Sequence, residues 1–267
     1  MDIIVCVKQV PGTTAVEVDP VTGVLKRDGL AGKLNPYDLF ALETAFSIRE
    51  SAEDPDSVRI TALSMGPGQA VQSLLETVYM GADEAWLLSD RRFAGADVQA
   101  TSYALSRGVE KITGGKFDLI ICGKQTTDGD TAQVGPELAE QLGIEHAANV
   151  MTVRASEDCL TVTVNLDDVI QTQKMRYPCL ITVEKDANTP RLPSFRRKFA
   201  TGDGAVKVLT ADDLEGTDAG RLGLKGSPTR VERIFPPESS DSRELFEGTS
   251  AELAEGLYSV LKSRKFL

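Results

Sequence analysis

The feature that most constrains this chain is a rhythm of short apolar runs alternating with longer amphipathic ones. Asp2–Val7, Val58–Ser64, Ala85–Leu88 and Phe117–Cys122 each read as a buried strand. Between them lie helix patterns. Asn35-Pro36-Tyr37-Asp38 opens one, with Asn35 at the N-cap, Pro36 at the first helical position and Asp38 at the third, as in a capping box; Leu39, Leu42 and Phe46 then share a face. Val71, Leu74, Leu75 and Val78 recur at helical spacing, with Gly81 placed to end that helix. Asp97–Ile112 reads as a helix, and Val134, Leu138 and Leu142 line the face of another. Strands alternating with helices in this way imply right-handed βαβ units and a doubly wound, mostly parallel sheet of the Rossmann-like, adenine-nucleotide-binding kind.

After about residue 148 the rhythm changes. Val150–Arg154, Cys159–Asn165, Val169–Arg176 and Leu180–Glu184 follow one another as strands, which suggests hairpins added to the sheet edge. From Asn188 onward prolines and glycines accumulate, and periodicity returns only at Ser250–Ser263. Leu222, Leu224, Val231, Ile234 and Phe235 in that stretch lack an evident core. The expected division is an α/β domain over 1–187 and an extended partner-wrapping arm over 188–267.

Composition excludes several function classes. With 29 Lys+Arg against 40 Asp+Glu the net charge is −11, which disfavours nucleic acid backbones and anionic membrane surfaces. No apolar run reaches the ~18 residues of a membrane span. Met1-Asp2-Ile3-Ile4-Val5-Cys6 has no positive region before its apolar stretch, so no signal peptide is expected and the cytoplasm is the expected compartment. Cys6, Cys122, Cys159 and Cys179 form no Cys-x-x-Cys pair and sit in apolar runs, as buried free thiols do. His146 is the sole histidine, placed by the sequence in a surface loop, so no metal site is expected.

The segment Gly123–Pro136, GKQTTDGDTAQVGP, carries the functional signal. It joins a buried strand to a helix through a Gly- and Thr-rich turn, where an open α/β sheet holds an anionic nucleotide. Gly-x4-Gly-Lys-Ser/Thr and Gly-x-Gly-x-x-Gly are both absent, so ordinary P-loop and Rossmann dehydrogenase readings fall away. An adenylyl-transferring or ATP-hydrolysing enzyme on a similar sheet would need an ATP-phosphate loop and a metal-binding carboxylate, and no Gly-rich ATP loop is present. Separated pieces can converge at the carboxyl ends of the strands: Cys6, Val7 and Lys8; Asn35, Pro36, Tyr37 and Asp38; Ser64, Met65 and Gly66; and Gly123, Lys124, Gln125, Thr126, Thr127, Asp128, Gly129, Asp130, Thr131, Ala132, Gln133 and Val134. Adenine would lie near Cys6 and Met65, ribose near Asn35, Asp38 or Asp128, and phosphate on the amides from Gly129 to Gln133 with the Thr131 hydroxyl. The helix begins either after an Asp130 cap or after a Gly135 cap with Pro136 as its first residue.

These pieces carry a resemblance. Val7-Lys8-Gln9-Val10-Pro11, Asn35-Pro36-Tyr37-Asp38, Met65-Gly66-Pro67, Met80-Gly81-Ala82-Asp83, Gly123-Lys124-Gln125 with Asp128, Asn188-Thr189-Pro190-Arg191 and Gly223-Leu224-Lys225-Gly226-Ser227-Pro228-Thr229 resemble the β subunit of electron-transfer flavoprotein, from residue 1 to about 230. The resemblance implies a heterodimer with an FAD-binding α subunit. It implies AMP in the β subunit of ordinary members, and a second FAD in the electron-bifurcating branch. That FAD takes a hydride from NADH and divides its electrons between a low-potential acceptor, ferredoxin or flavodoxin, and the α-subunit FAD. Asp128–Pro136 is similar to the bifurcating branch; Gly129, Ala132 and Gly135 leave room for a diphosphate. Thr126-Thr127 departs from the aliphatic residues commoner in the family. No catalytic side chain is implied. The resemblance also places docking of a flavin-dependent dehydrogenase or reductase, such as an acyl-CoA dehydrogenase, on Lys185, Asp186, Ala187, Asn188, Thr189, Pro190 and Arg191. Ala187 would be a small apolar anchor there, and Arg196-Arg197-Lys198 a basic neighbour.

Overall fold

The computed structural model describes residues 1–12, 32–166, 168–202, 204–232 and 245–267. Its centre is a nine-stranded sheet built on β1 (Asp2–Cys6). One side of β1 carries β4 (Arg59–Met65), then β5 (Glu84–Leu88), then β11 (Val206–Leu209). The other side carries β6 (Leu119–Gly123), β10 (Cys179–Val183), β7 (Glu145–Ala155), β8 (Cys159–Leu166) and β9 (Val169–Arg176). All pairings from β11 through to β7 are parallel; β7–β8 and β8–β9 are antiparallel. A separate two-stranded ladder, β2 (Gln9–Pro11) with β3 (Gly32–Leu34), follows β1.

Helices cover both faces, as a parallel sheet requires. Ile3 and Val5 of β1 point to a core completed by α1 (Pro36–Ser51) and α2 (Val71–Met80), where Leu42, Phe46 and Leu74 are fully buried. Ile4 and Cys6 point to the opposite core under α3 (Val98–Thr113) and α4 (Val134–Leu142), with Tyr103, Val109 and Leu138. The alternation along β1 therefore divides one apolar run between two layers. All four cysteines are free and buried.

Three expectations need correction. The strands after residue 148 do not all sit at the edge: β10 returns between β6 and β7, parallel to both. All five of its residues are buried, the mark of a strand covered on both faces, whereas β8 alternates. His146 lies in β7 rather than a loop, at an exposed position. The segment from Asn188 is not a free arm over its whole length. Ser194 N–H donates to Tyr79 O, a short helix α5 (Phe195–Ala200) follows, and β11 joins the sheet beside β5. Residues 210–229 then pack over α3, where Leu214 and Leu222 enter the core. Gly223 and Gly226 explain the Gly223–Thr229 motif: a Cβ on Gly223 would lie 2.2 Å from Arg92 O, and on Gly226 2.0 Å from Arg221 C. Leu224 and Val231 remain exposed, and Ile234 and Phe235 lie outside the described residues. The last helix, α6 (Ser250–Ser263), buries none of its residues.

Candidate functional site: the carboxyl edge between β1, β4 and β6

The strand order turns around β1. The chain runs outward through β4 and β5, then crosses to β6 on the other side. That switch opens a crevice at the carboxyl ends of β1, β4 and β6, the usual ligand position in such a sheet. Four of the segments singled out in the sequence meet there. Cys6 is in register with Leu63 of β4 and Cys122 of β6, which brings Val7-Lys8, Ser64-Met65-Gly66 and the loop after Gly123 to one edge. Asn35 N–H donates to Lys8 O at 2.9 Å and adds the N-terminus of α1.

Asn35 is fully buried, and its side chain does not cap α1. Its Nδ2 donates to Asp38 Oδ1 at 2.8 Å and to Gln125 O at 2.9 Å, and its Oδ1 accepts from Thr127 N–H at 3.3 Å. The expected capping box is thus replaced by a bracket that holds the β6–α4 loop. Asp38 completes it, accepting from Lys8 N–H at 2.7 Å. Burial pushes the Asp38 carboxyl up to about 7, against the opposing pull of its hydrogen bonds from Asn35, Lys8 and Gly123. Gly123 must be glycine here, because a Cβ would stand 2.5 Å from Asp38 Oδ1 and 2.7 Å from the Tyr37 backbone. Cys6, Val7 and Ser64 are buried as well, so their contribution to a ligand would come through backbone. Hydrogen bonding to Cys6 and burial raise the Cys122 thiol well above its ordinary value, which leaves it inert.

The loop itself is exposed from Thr127 to Thr131. Lys124 turns away to Glu184 at 2.8 Å. Gln125 reaches Tyr37 Oη at 3.3 Å and also donates to Asp130. Asp130 and Ala132 hold left-handed backbone, φ 54° and 55°, unusual for residues with a Cβ and a common sign of a functional loop. Asp130 N–H closes a turn on Thr126 O at 2.9 Å. The N–H groups of Thr131, Ala132 and Gln133 donate to no acceptor among the described residues, and those of Val134 and Gly135 are unpaired as first-turn groups of α4. The helix starts between the two expected positions, with Gln133 at the cap and Pro136 inside the first turn. A run of free amides at the N-terminus of a helix packed by one face on the sheet suits a phosphate group. Gly129 is open, a Cβ there meeting only Thr126 Oγ1 at 3.3 Å.

The second expected surface divides by orientation. Lys185, Asp186 and Thr189 face outward. Ala187 packs partly buried against the core. Asn188 donates to Phe40 O and Thr44 Oγ1, both at 3.0 Å. Arg191 grips Glu43 at 2.7 Å and Glu50 at 2.7 Å and lies over the Phe46 ring at 4.7 Å. Those residues fasten the loop to α1. The exposed apolar groups come just after them: Leu192, Phe195 and Phe199, with the two rings stacked at 6.4 Å beside Arg196, Arg197 and Lys198. The sequence reading missed them. Their signal was a pair of phenylalanines one helical turn apart in a basic run with no apolar stripe to join.

Comparison with known proteins agrees with this geometry. The family model for the electron transfer flavoprotein domain matches residues 22–214. The chain is 46% identical over 265 residues, 99% of both chains, to a protein named electron transfer flavoprotein subunit beta from Thermoanaerobacterium thermosaccharolyticum. The chain belongs to the electron transfer flavoprotein β-subunit family. Caffeyl-CoA reductase-Etf complex subunit CarD of Acetobacterium woodii is 38% identical over 268 residues, all of both chains. Protein FixA of Azorhizobium caulinodans is 41% identical over 244 residues, 90% of this chain and 85% of its own. Membership of this β-subunit family implies an α-subunit partner. No helix among the described residues is long and apolar enough to cross a membrane.

Proposed function

We propose that this chain is the β subunit of a bifurcating-type electron carrier, holding FAD at the carboxyl edge of β1, β4 and β6. The observation that carries the reading is the row of amides from Thr131 to Gly135 at the mouth of α4, which meet no acceptor among the described residues, beside the open Gly129. FAD bound there supplies two-electron chemistry with NADH and one-electron transfer to two acceptors: a low-potential ferredoxin or flavodoxin, and the FAD of the α subunit. The residues of this chain hold and orient it. The amides of Thr131 to Gln133 take the diphosphate, since Asp130 N–H is spent on Thr126 O, the backbone near Cys6, Val7, Met65 and Gly66 supports the adenine, and the Asn35–Asp38 bracket fixes the loop. No side chain here acts as acid, base or nucleophile. In the alternative, AMP sits in the same cradle and the chain is a conventional carrier subunit.

Denaturing the purified αβ complex and counting released nucleotides separates the two. Two FAD and no AMP per complex support the bifurcating reading; one FAD with one AMP establishes the alternative. A Gly129→Asp variant places a carboxylate against the diphosphate without a backbone clash. It is expected to lose the β-subunit nucleotide while the complex still assembles.

Docking of a dehydrogenase or reductase is assigned here to Lys185–Phe199, with Leu192 and Phe195 as apolar anchors and Arg196-Arg197-Lys198 as the charged rim. Leu192→Ala with Phe195→Ala is expected to slow electron delivery to the partner about tenfold or more, as loss of buried anchors does. Nucleotide content should stay unchanged. Full transfer rates in that variant would move the docking surface elsewhere.

A further inference from the structure

Lys8 is held by a carboxylate at each end. Its backbone N–H donates to Asp38 Oδ2 at 2.7 Å, which fixes the point from which the side chain swings. Its Nζ contacts both oxygens of Asp128, at 2.8 and 2.9 Å, and so ties the end of β1 to the β6–α4 loop. The pair sits at the rim of the crevice, where the Lys8 side chain is 43% and the Asp128 side chain 21% exposed. Burial disfavours the charged form of Asp128, yet the Lys8 ammonium outweighs it and holds the carboxyl below its usual range.

Resting on the nucleotide reading above, we propose that the Lys8–Asp128 ion pair is an exchangeable strap, in which a ligand phosphate replaces Asp128 on the Lys8 ammonium. Lys8 then discriminates a phosphorylated ligand from a bare nucleoside. Three observations support it. The strap and the free amides of Thr131 to Gln133 belong to the same short loop, so an anion on those amides lies close to the Asp128 carboxylate and repels it. The other lysine of the loop, Lys124, is engaged with Glu184 at 2.8 Å and faces the opposite side. A partly exposed ion pair is weakly held, so its exchange for a charge-assisted phosphate contact costs little.

The test uses the αβ complex freed of its β-subunit nucleotide, with AMP and adenosine as calorimetric probes. Lys8→Met is expected to weaken AMP about tenfold or more, the worth of a charge-assisted contact, while adenosine binding is unchanged. Asp128→Asn releases Lys8 and is expected to tighten AMP several-fold relative to adenosine. Lys8→Arg should keep the preference for AMP, and added salt should erode it. If Asp128→Asn weakens AMP as Lys8→Met does, or if both probes shift together, the pair is a structural tie and the proposal falls. If the unaltered complex binds neither probe, the nucleotide reading falls first.

Discussion

Asp38 shows what one buried carboxylate does to this site. Its folded-state pKa of about 7 lies above the ordinary value of 3.8. Between those values the folded chain keeps a proton that the unfolded chain releases, so stability falls as pH rises through that window. Below about 4 both states are neutral, and above about 7 both are ionised, so the dependence stops at each end. The expected slope is about 1.4 kcal/mol per pH unit for the one proton. Melting wild type and Asp38→Asn from pH 4 to 8 checks this: the difference between them should change with pH inside the window and flatten above it. A constant difference would mean that Asp38 ionises like an exposed carboxylate. Gly123→Ala tests the same bracket sterically. With backbone atoms at 2.7 and 2.9 Å from the new Cβ, relief requires moving the start of α1, and a loss of about 1–3 kcal/mol is expected. The sequence marked Asn35 and Asp38 correctly as belonging together but misread why. Spacing by three residues looks the same in a capping box and in a bracket whose other partners, Gln125 and Thr127, lie about ninety residues away.

At the scale of elements, local signals carried most of the fold. The helices at 36–51, 71–80 and 98–113 were legible from local signals, a cap and an apolar face in the first and an apolar face with a Gly81 stop in the second. The parallel sheet followed from their alternation with apolar runs. The position of β10 was illegible because strand order is decided by long-range pairing, although the nearly unbroken apolar run Cys179-Leu180-Ile181-Thr182-Val183 is what a strand covered on both faces carries. The β2–β3 ladder was missed because each strand is only three residues long. Two contacts between elements invite tests. A Cβ on Gly135 would meet Thr182 Cγ2 at 2.5 Å, so α4 lies against β10 with no space between them. Gly135→Ala should lift the helix and with it the amide row. A loss of about 1–3 kcal/mol and weaker nucleotide retention are expected, both read from melting and released nucleotide. Arg191→Ala leaves Glu43, whose side chain is only 11% exposed, without its bidentate partner. A loss of about 1–3 kcal/mol follows, and Arg191→Lys should recover only part of it, since an ammonium cannot reproduce the fork.

For the whole molecule, the question is which parts complete the fold and which await another chain. Residues up to Thr229 return to this domain, fastened by Thr229 N–H to Asp97 Oδ2 at 2.9 Å and by Leu222 in the core. The helix α6 does not. It is well begun, with Thr249 and Glu252 in a capping box, yet Leu253, Leu257 and Tyr258 face solvent on one side. A helix of 14 residues has marginal stability alone in water, and an exposed apolar stripe of this length is what a partner surface would cover. We assign that surface to the α subunit that the family membership implies. Deleting residues 245–267 should therefore leave the melting temperature of the isolated chain nearly unchanged, because no buried contact of the two cores is lost. The same deletion should weaken association with the α subunit, read as separate peaks in gel filtration at concentrations where the full chains co-elute. An early melt of the isolated chain would show that α6 completes this domain instead. Undiminished assembly would transfer the α-subunit contact to another face, leaving the exposed stripe of α6 for a different partner.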